Sequence, residues 1–204
     1  MRSTLSTSPL IKRYTLEEFW GLPAPKDGSR YELIAGVLYM SPPPNAQHNL
    51  AWATINQLFI LHLAKIGDWG VVFAPRAALW IKPDTYIEPD LFYVSERLLK
   101  KLDLTRPNTA DLVVEIISPG TAIYDRNTKA DTYAALGVRE LWLVDPERQL
   151  VEVRNLKRSG KGKPSVYPAG RTFRVGEIVQ SQVLPSFAPA VTDICRHALP
   201  RHSS

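Results

Sequence analysis

Asp90 and Glu115 are acids set in segments that otherwise read as core strands, Ile87-Glu88-Pro89-Asp90-Leu91-Phe92-Tyr93-Val94 and Leu112-Val113-Val114-Glu115-Ile116-Ile117. Leaving even a neutral polar group unpaired in a protein interior costs roughly 2–7 kcal/mol, and a carboxylate costs more, so each acid needs a partner. Two carboxylates on neighbouring strands, with Lys129 following in a predicted helix, suit a hard divalent cation beside a phosphate. Such a cation offsets the charge of a phosphodiester and acidifies a bound water, while a lysine stabilises the charge that builds up during attack.

Side chains alternate along a strand, so Glu115 shares a face with Val113, Ile117 and Asp111. Asp111 lies ~13 Å from it, too far to share one ion. Asp111 also stands at the strand mouth, where a solvated acid is ordinary, and Glu115 is the better ligand. Glu88 and Asp90 share a face about 7 Å apart. Pro89 between them cannot donate to a ladder, which implies an edge or a bulge that re-aims Asp90, and Asp90 ranks above Glu88. Lys129 is one helical turn after Asp125 and one before Tyr133, so the three lie near one stripe of the helix that follows the Glu115 strand. The plain alternative is an exposed Asp125–Lys129 pair worth little. On residues alone Glu32 reads as a solvent-facing hairpin acid, His48 as a helix N-terminal residue, and Tyr133 and Trp142 as core.

The elements that must position these groups follow from local signals. Thr15-Leu16-Glu17-Glu18 has the spacing of a capping box opening a short helix. A hairpin is expected over 30–40 with its turn at Ala35-Gly36, and a long helix over 46–66 stopped by Gly67. Strands are expected at 71–74, 77–81, 87–94 and 112–117, with a short helix at 95–101 between the last two. A helix over 124–136, a strand over 140–144 and a partner strand over 149–155 complete the pattern. The apolar runs at 113–117 and 141–144 predict strands covered on both faces, hence an α/β fold whose mixed β-sheet is flanked by helices.

Residues 15–195 read as a single domain between a flexible N-terminal segment, 1–14, and a C-terminal tail, 196–204. Cys195 is the one cysteine, which excludes an intramolecular disulfide and a cysteine zinc site. A reducing, cytoplasmic setting and no membrane are expected, since no stretch approaches the ~20 apolar residues of a span and 1–14 lacks a signal-peptide core. The net charge of +5 is local: Arg154, Lys157, Arg158, Lys161, Lys163, Arg171 and Arg174 have no acid among them between Val153 and Gly176. Such a surface suits a polyanion, and Lys157, Arg158, Lys161 and Lys163 are the candidate nucleic-acid contacts beside the cleft. A solvated loop is the bland alternative.

These residues resemble a family. Tyr31-Glu32-Leu33-Ile34-Ala35-Gly36, the helix starting near His48, Pro89-Asp90-Leu91, Val114-Glu115-Ile116-Ile117-Ser118-Pro119, and Lys129 with Tyr133, Gly137-Val138 and Glu140-Leu141-Trp142-Leu143-Val144-Asp145-Pro146 look like the Uma-two endonucleases of the PD-(D/E)XK superfamily. The resemblance implies a restriction-endonuclease-like fold acting as a metal-dependent endodeoxyribonuclease, with Mg²⁺ or Mn²⁺ as cofactor and DNA as partner, and leaves a homodimer open. Asp90 and Glu115 would bridge the ion, with the Ile116 carbonyl as a further ligand. Ile117 stands where the superfamily places a lysine, and Lys129 would replace it from the helix. Glu32 would be either a ligand of a second ion or the base for the attacking water. The competing classes are a non-catalytic DNA-binding module on the same fold and a hydrolase of small nucleotides.

Overall fold

A computed structural model describes residues 12–118, 120–158, 160 and 164–197. In chain order the elements are α1 (Leu16–Trp20), β1 (Arg30–Ile34), β2 (Val37–Ser41), α2 (Ala46–Ile66), β3 (Val71–Phe73), β4 (Leu79–Ile81), β5 (Thr85–Ile87), β6 (Leu91–Val94), α3 (Glu96–Leu99), β7 (Leu112–Ile116), α4 (Ala122–Tyr124), a π-helical turn (Asp125–Lys129), α5 (Ala130–Ala135), β8 (Glu140–Asp145), β9 (Leu150–Asn155), β10 (Arg171–Arg174) and α6 (Val191–Ile194).

Six strands form the central sheet in the order β10-β9-β8-β7-β6-β3. Among the described residues only β7 and β8 pair parallel, joined by the helical crossover; the other pairs of this sheet are antiparallel. The period-two pattern sorts side chains to two cores. Leu91, Tyr93, Leu112, Val114, Ile116, Trp142 and Val144 face α2 and the C-terminal segment, while Phe92, Val94, Val113, Ile117, Leu141 and Leu143 face α5 and a second sheet. That second sheet, of four strands in the order β2-β1-β5-β4, carries α1 on its outer face through Leu16, Phe19 and Leu33.

Two local choices matter for the site. Asn45 caps α2 by accepting from the His48 N–H at 2.9 Å, and Gly67, at φ +67°, ends the helix in the left-handed conformation. The β1–β2 turn has Ala35 at φ +47° and Gly36 at φ +77°, the two positive angles of a type I′ hairpin, and Ala35 N–H donates to Thr85 Oγ1 at 3.1 Å.

The expected mixed sheet flanked by helices is the six-stranded one, and an antiparallel sheet of four strands lies beside it. Two expectations are corrected. The strand over 87–94 is cut at Glu88-Pro89-Asp90, where the chain crosses from the four-stranded to the six-stranded sheet, because Pro89 cannot donate to either ladder. The helix over 124–136 begins earlier and contains the π-helical turn; β10 and α6 lie in stretches without a clear period.

Candidate active site

The site lies where β7 ends. Lys129 Nζ is 3.1 and 3.2 Å from the two carboxylate oxygens of Glu115, 3.4 Å from Glu32 Oε2 and 3.8 Å from Asp125 Oδ1. The Tyr133 hydroxyl donates to Glu115 Oε1. Asp90 stands one step beyond the Leu91–Val114 pair, opposite Glu115, and its Oδ2 accepts from Ile116 N–H at 2.8 Å. The same oxygen is 3.0 Å from His48 Nε2, and one turn further along α2 Trp52 Nε1–H donates to the Asp90 carbonyl at 3.0 Å. Two faces of the sheet thus converge on one point: Glu115 projects toward α5, Asp90 toward α2.

The crossover helix reaches the site through its π-helical turn, a widened register often found at functional sites. Asp125 and Lys129 are the buried residues of that turn, and Tyr133 follows on α5, so acid, lysine and hydroxyl all present to Glu115. The lysine also lies 5.6 Å from the Tyr124 ring centroid.

Charge is unevenly balanced here. Burial opposes the Lys129 ammonium, yet the carboxylates of Glu115, Glu32, Asp125 and Asp90 outweigh it and hold the lysine well above its ordinary value. Burial pushes Glu115 up against the pull of Lys129, and burial raises Asp125 in the same way. For Asp90 burial is outweighed by the hydrogen bond and charge of His48, then by Lys129 and the Ile116 N–H, so its carboxyl titrates below the usual range. Glu115, Glu32 and Asp125 share one lysine and Asp90 pairs with His48, and burial disfavours the charged forms of Glu115 and Asp125 where no further cation offsets them.

The cluster opens onto a cavity of about 230 Å³ whose lining includes Arg30, His48, Asp90, Glu115, Asp125 and Lys129. Asp90 and Glu115 offer carboxylate oxygens, the donors a hard cation prefers. Among the described residues no group of three or more His, Cys, Asp or Glu is arranged to hold a metal. His48 Nδ1 is buried without a hydrogen-bond partner among the described residues.

The structure therefore brings Asp90, Glu115, Ile116 and Lys129 together around one cavity. Glu32 is close but behind Lys129: Oε1 accepts from Glu88 N–H at 2.9 Å and Oε2 from Ser41 Oγ–H at 3.2 Å and Tyr124 O–H at 3.3 Å. Glu32 is not among the residues lining the cavity, and its Oε2 lies 3.4 Å from Lys129 Nζ. Lys157 and Arg158 are not beside the cleft. Asn155 pairs with Glu140, whose N–H donates to the Asp111 carbonyl, so the chain after β9 emerges at the opposite end of the sheet, where Arg158 lines a cavity with Arg97, Lys101, Asp111 and Arg139. Lys161 and Lys163 lie outside the described residues. From sequence Tyr133 reads as core on the Lys129 stripe and His48 as a helix N-terminal residue, and both prove to touch the site acids; Arg30 carried no signal.

The family model described as "Putative restriction endonuclease", Uma2, matches residues 16–190. The crystal structure described as "a putative nuclease belonging to DUF820", from Anabaena variabilis ATCC 29413, superposes with a TM-score of 0.68 at 18% identity, covering 91% of this chain and 99% of that one. At that identity the likeness is one of fold. No curated protein matches the chain. No described helix is long and apolar enough to cross a membrane.

Proposed function

Since this chain belongs to the Uma2 family, we propose that it is a Mg²⁺- or Mn²⁺-dependent endonuclease that hydrolyses DNA phosphodiester bonds at the Asp90–Glu115–Lys129 cavity. One observation carries the reading: Glu115, Glu32 and Asp125, all buried, lie within ion-pair distance of Lys129, and Asp90 stands beside Glu115 on the same cavity, a set of acids that a divalent cation would bridge to a phosphate. The ion, held by Asp90, Glu115 and the Ile116 carbonyl, would supply charge neutralisation at the phosphate and a more acidic bound water. Lys129 donates to the phosphate oxygens as charge develops on them, and its own ammonium is kept protonated by Glu115, Glu32 and Asp125. Tyr133 and the Ile116 N–H fix the carboxylate orientations, and Glu32 fixes the lysine. Arg30, on the cavity wall, is placed to meet the phosphate backbone.

The test is nicking of supercoiled plasmid. Wild-type protein should nick with Mg²⁺ or Mn²⁺ and stop on chelation, and Glu115→Gln should be inactive while still folded. Wild-type protein that binds DNA yet never nicks it, across both metals and several DNA forms, would make the chain a non-catalytic binding module.

A further inference from the structure

We propose that the groove between α1 and the outer face of the four-stranded sheet binds an unpaired base of the nucleic-acid strand whose phosphate enters the Asp90–Glu115 cavity. This rests on the endonuclease reading and adds to it a substrate class: DNA with an unstacked nucleotide next to the cut.

The groove is a separate cavity of about 310 Å³ whose walls include Trp20, Tyr31, Tyr86, Arg30, Arg76 and Glu88. Trp20 is 55% exposed, a large apolar ring left in water at the end of α1. Three rings surround it, Phe19 at 5.0 Å, Tyr86 at 4.8 Å and Trp80 at 6.3 Å, and all meet it in T-shaped geometry. Among the described residues no ring stacks parallel on Trp20, so a flat partner has a place that the fold does not fill. A nucleobase is such a partner, and base stacking on aromatic side chains is the usual way a single strand is held. Cations complete the pattern. Arg76 is exposed in the groove, Arg106 lies 5.2 Å over the Trp80 ring, and Arg30 stands at the inner wall. Aromatic rings interleaved with arginines favour a polyanion carrying rings over an apolar peptide or a second copy of this chain.

Continuity with the catalytic cavity decides the orientation. Arg30 lines both cavities. Its guanidinium is 3.4 Å from Glu88 Oε2, Tyr86 O–H donates to Glu88 Oε1 at 3.0 Å, and the Glu88 N–H donates to Glu32 at 2.9 Å, so one residue joins the groove wall to the acid that holds Lys129. Alternation along β1 produces this: Tyr31 and Leu33 turn outward to the groove side while Glu32 turns inward to the lysine. A strand with its phosphate in the cavity can therefore lay a neighbouring base on Trp20 only if that base has left its own duplex stack.

Binding is measured by fluorescence anisotropy on metal-free protein, with a labelled single-stranded oligodeoxynucleotide and its blunt duplex as probes, beside the plasmid nicking assay. Wild type should bind the single strand more tightly than the duplex. Trp20→Ala should weaken single-strand binding about tenfold and leave duplex binding unchanged, while Trp20→Phe retains most of the affinity. Arg76→Gln should lower the salt slope by about one phosphate contact. Unchanged single-strand affinity in Trp20→Ala overturns the proposal. So does an equal loss on both probes, which Trp20→Phe would share if the cause were misfolding. Nicking without Trp20-dependent binding removes the groove and leaves the endonuclease; Trp20-dependent binding without nicking does the reverse.

Discussion

Asp111 immediately precedes β7 and Glu115 stands near its far end, four residues on; each is 2% exposed, and they do different work. Asp111 is saturated by its surroundings: Oδ2 accepts from Ser95 N–H at 2.9 Å and Oδ1 from the half-exposed Arg139 at 3.1 Å. Its neighbour Glu140 is equally settled, accepting from Trp142 Nε1–H at 2.7 Å and from the Gln182 and Val183 N–H groups at 2.6 and 3.3 Å, which clips the C-terminal segment to the sheet. At the other end Glu115 shares Lys129 with Glu32 and Asp125 beside a cavity. Burial of an acid is thus not the mark of the site. The balance of donors to acids is: matched at the Asp111 end, short of positive charge at the Glu115 end.

The sharpest break of this comparison is the cation. Lys129→Met should cut plasmid nicking by about 10²–10³-fold, the usual cost of one lost electrostatic donor. It should also destabilise the protein by roughly 3–5 kcal/mol, because buried acids lose their partner. Arg139→Met, at the matched end, should leave nicking intact and cost under about 1 kcal/mol, its side chain being 43% exposed. Nicking assays and denaturant melts on both variants decide it.

Metal binding sharpens the same contrast. Asp90→Asn should weaken Mn²⁺ in calorimetric titration by at least about tenfold, since even the partners of ligands are worth ~10–100-fold. Asp111→Asn should give the wild-type isotherm. Indistinguishable isotherms for the two variants would remove the distinction drawn between the ends of the strand.

A smaller effect is expected at Glu140. Glu140→Ala leaves the buried Trp142 Nε1–H without its acceptor and should cost about 1–3 kcal/mol in stability. The nicking rate well below the melting temperature should not change, because the clip lies away from the cavity.

The smallest expected effect is of pH on Lys129. Its folded-state value is raised, so its contribution to stability is fully present below the ordinary lysine value and is lost only as pH rises through the higher folded one. The nicking profile should therefore show no descending limb from this lysine up to about pH 10. A descending limb near neutrality that Lys129→Arg abolishes would show that the carboxylates do not hold it charged.

Much of this arrangement was legible in the amino-acid sequence. Asp90 and Glu115 announce themselves as acids inside apolar runs, the four-residue spacing places Lys129 and Tyr133 on one stripe, and the hairpin, α2 and the β7–crossover–β8 unit follow from period, caps and turn residues. These are local properties, set by residue type and by the geometry of a single element. Tertiary structure alone decided the rest. Pro89 signals a break, but only packing shows that the break carries the chain from one sheet to another and so sets Asp90 opposite Glu115. Glu32 looks like a solvent-facing acid until the four-stranded sheet folds over the crossover helix and seats it on Lys129. The basic stretch after β9 reads as a companion of the cleft, and the antiparallel register sends Lys157 and Arg158 to the far end. Contacts between elements distant in the chain have no local signature, because they depend on which faces and ends the packed sheets bring together.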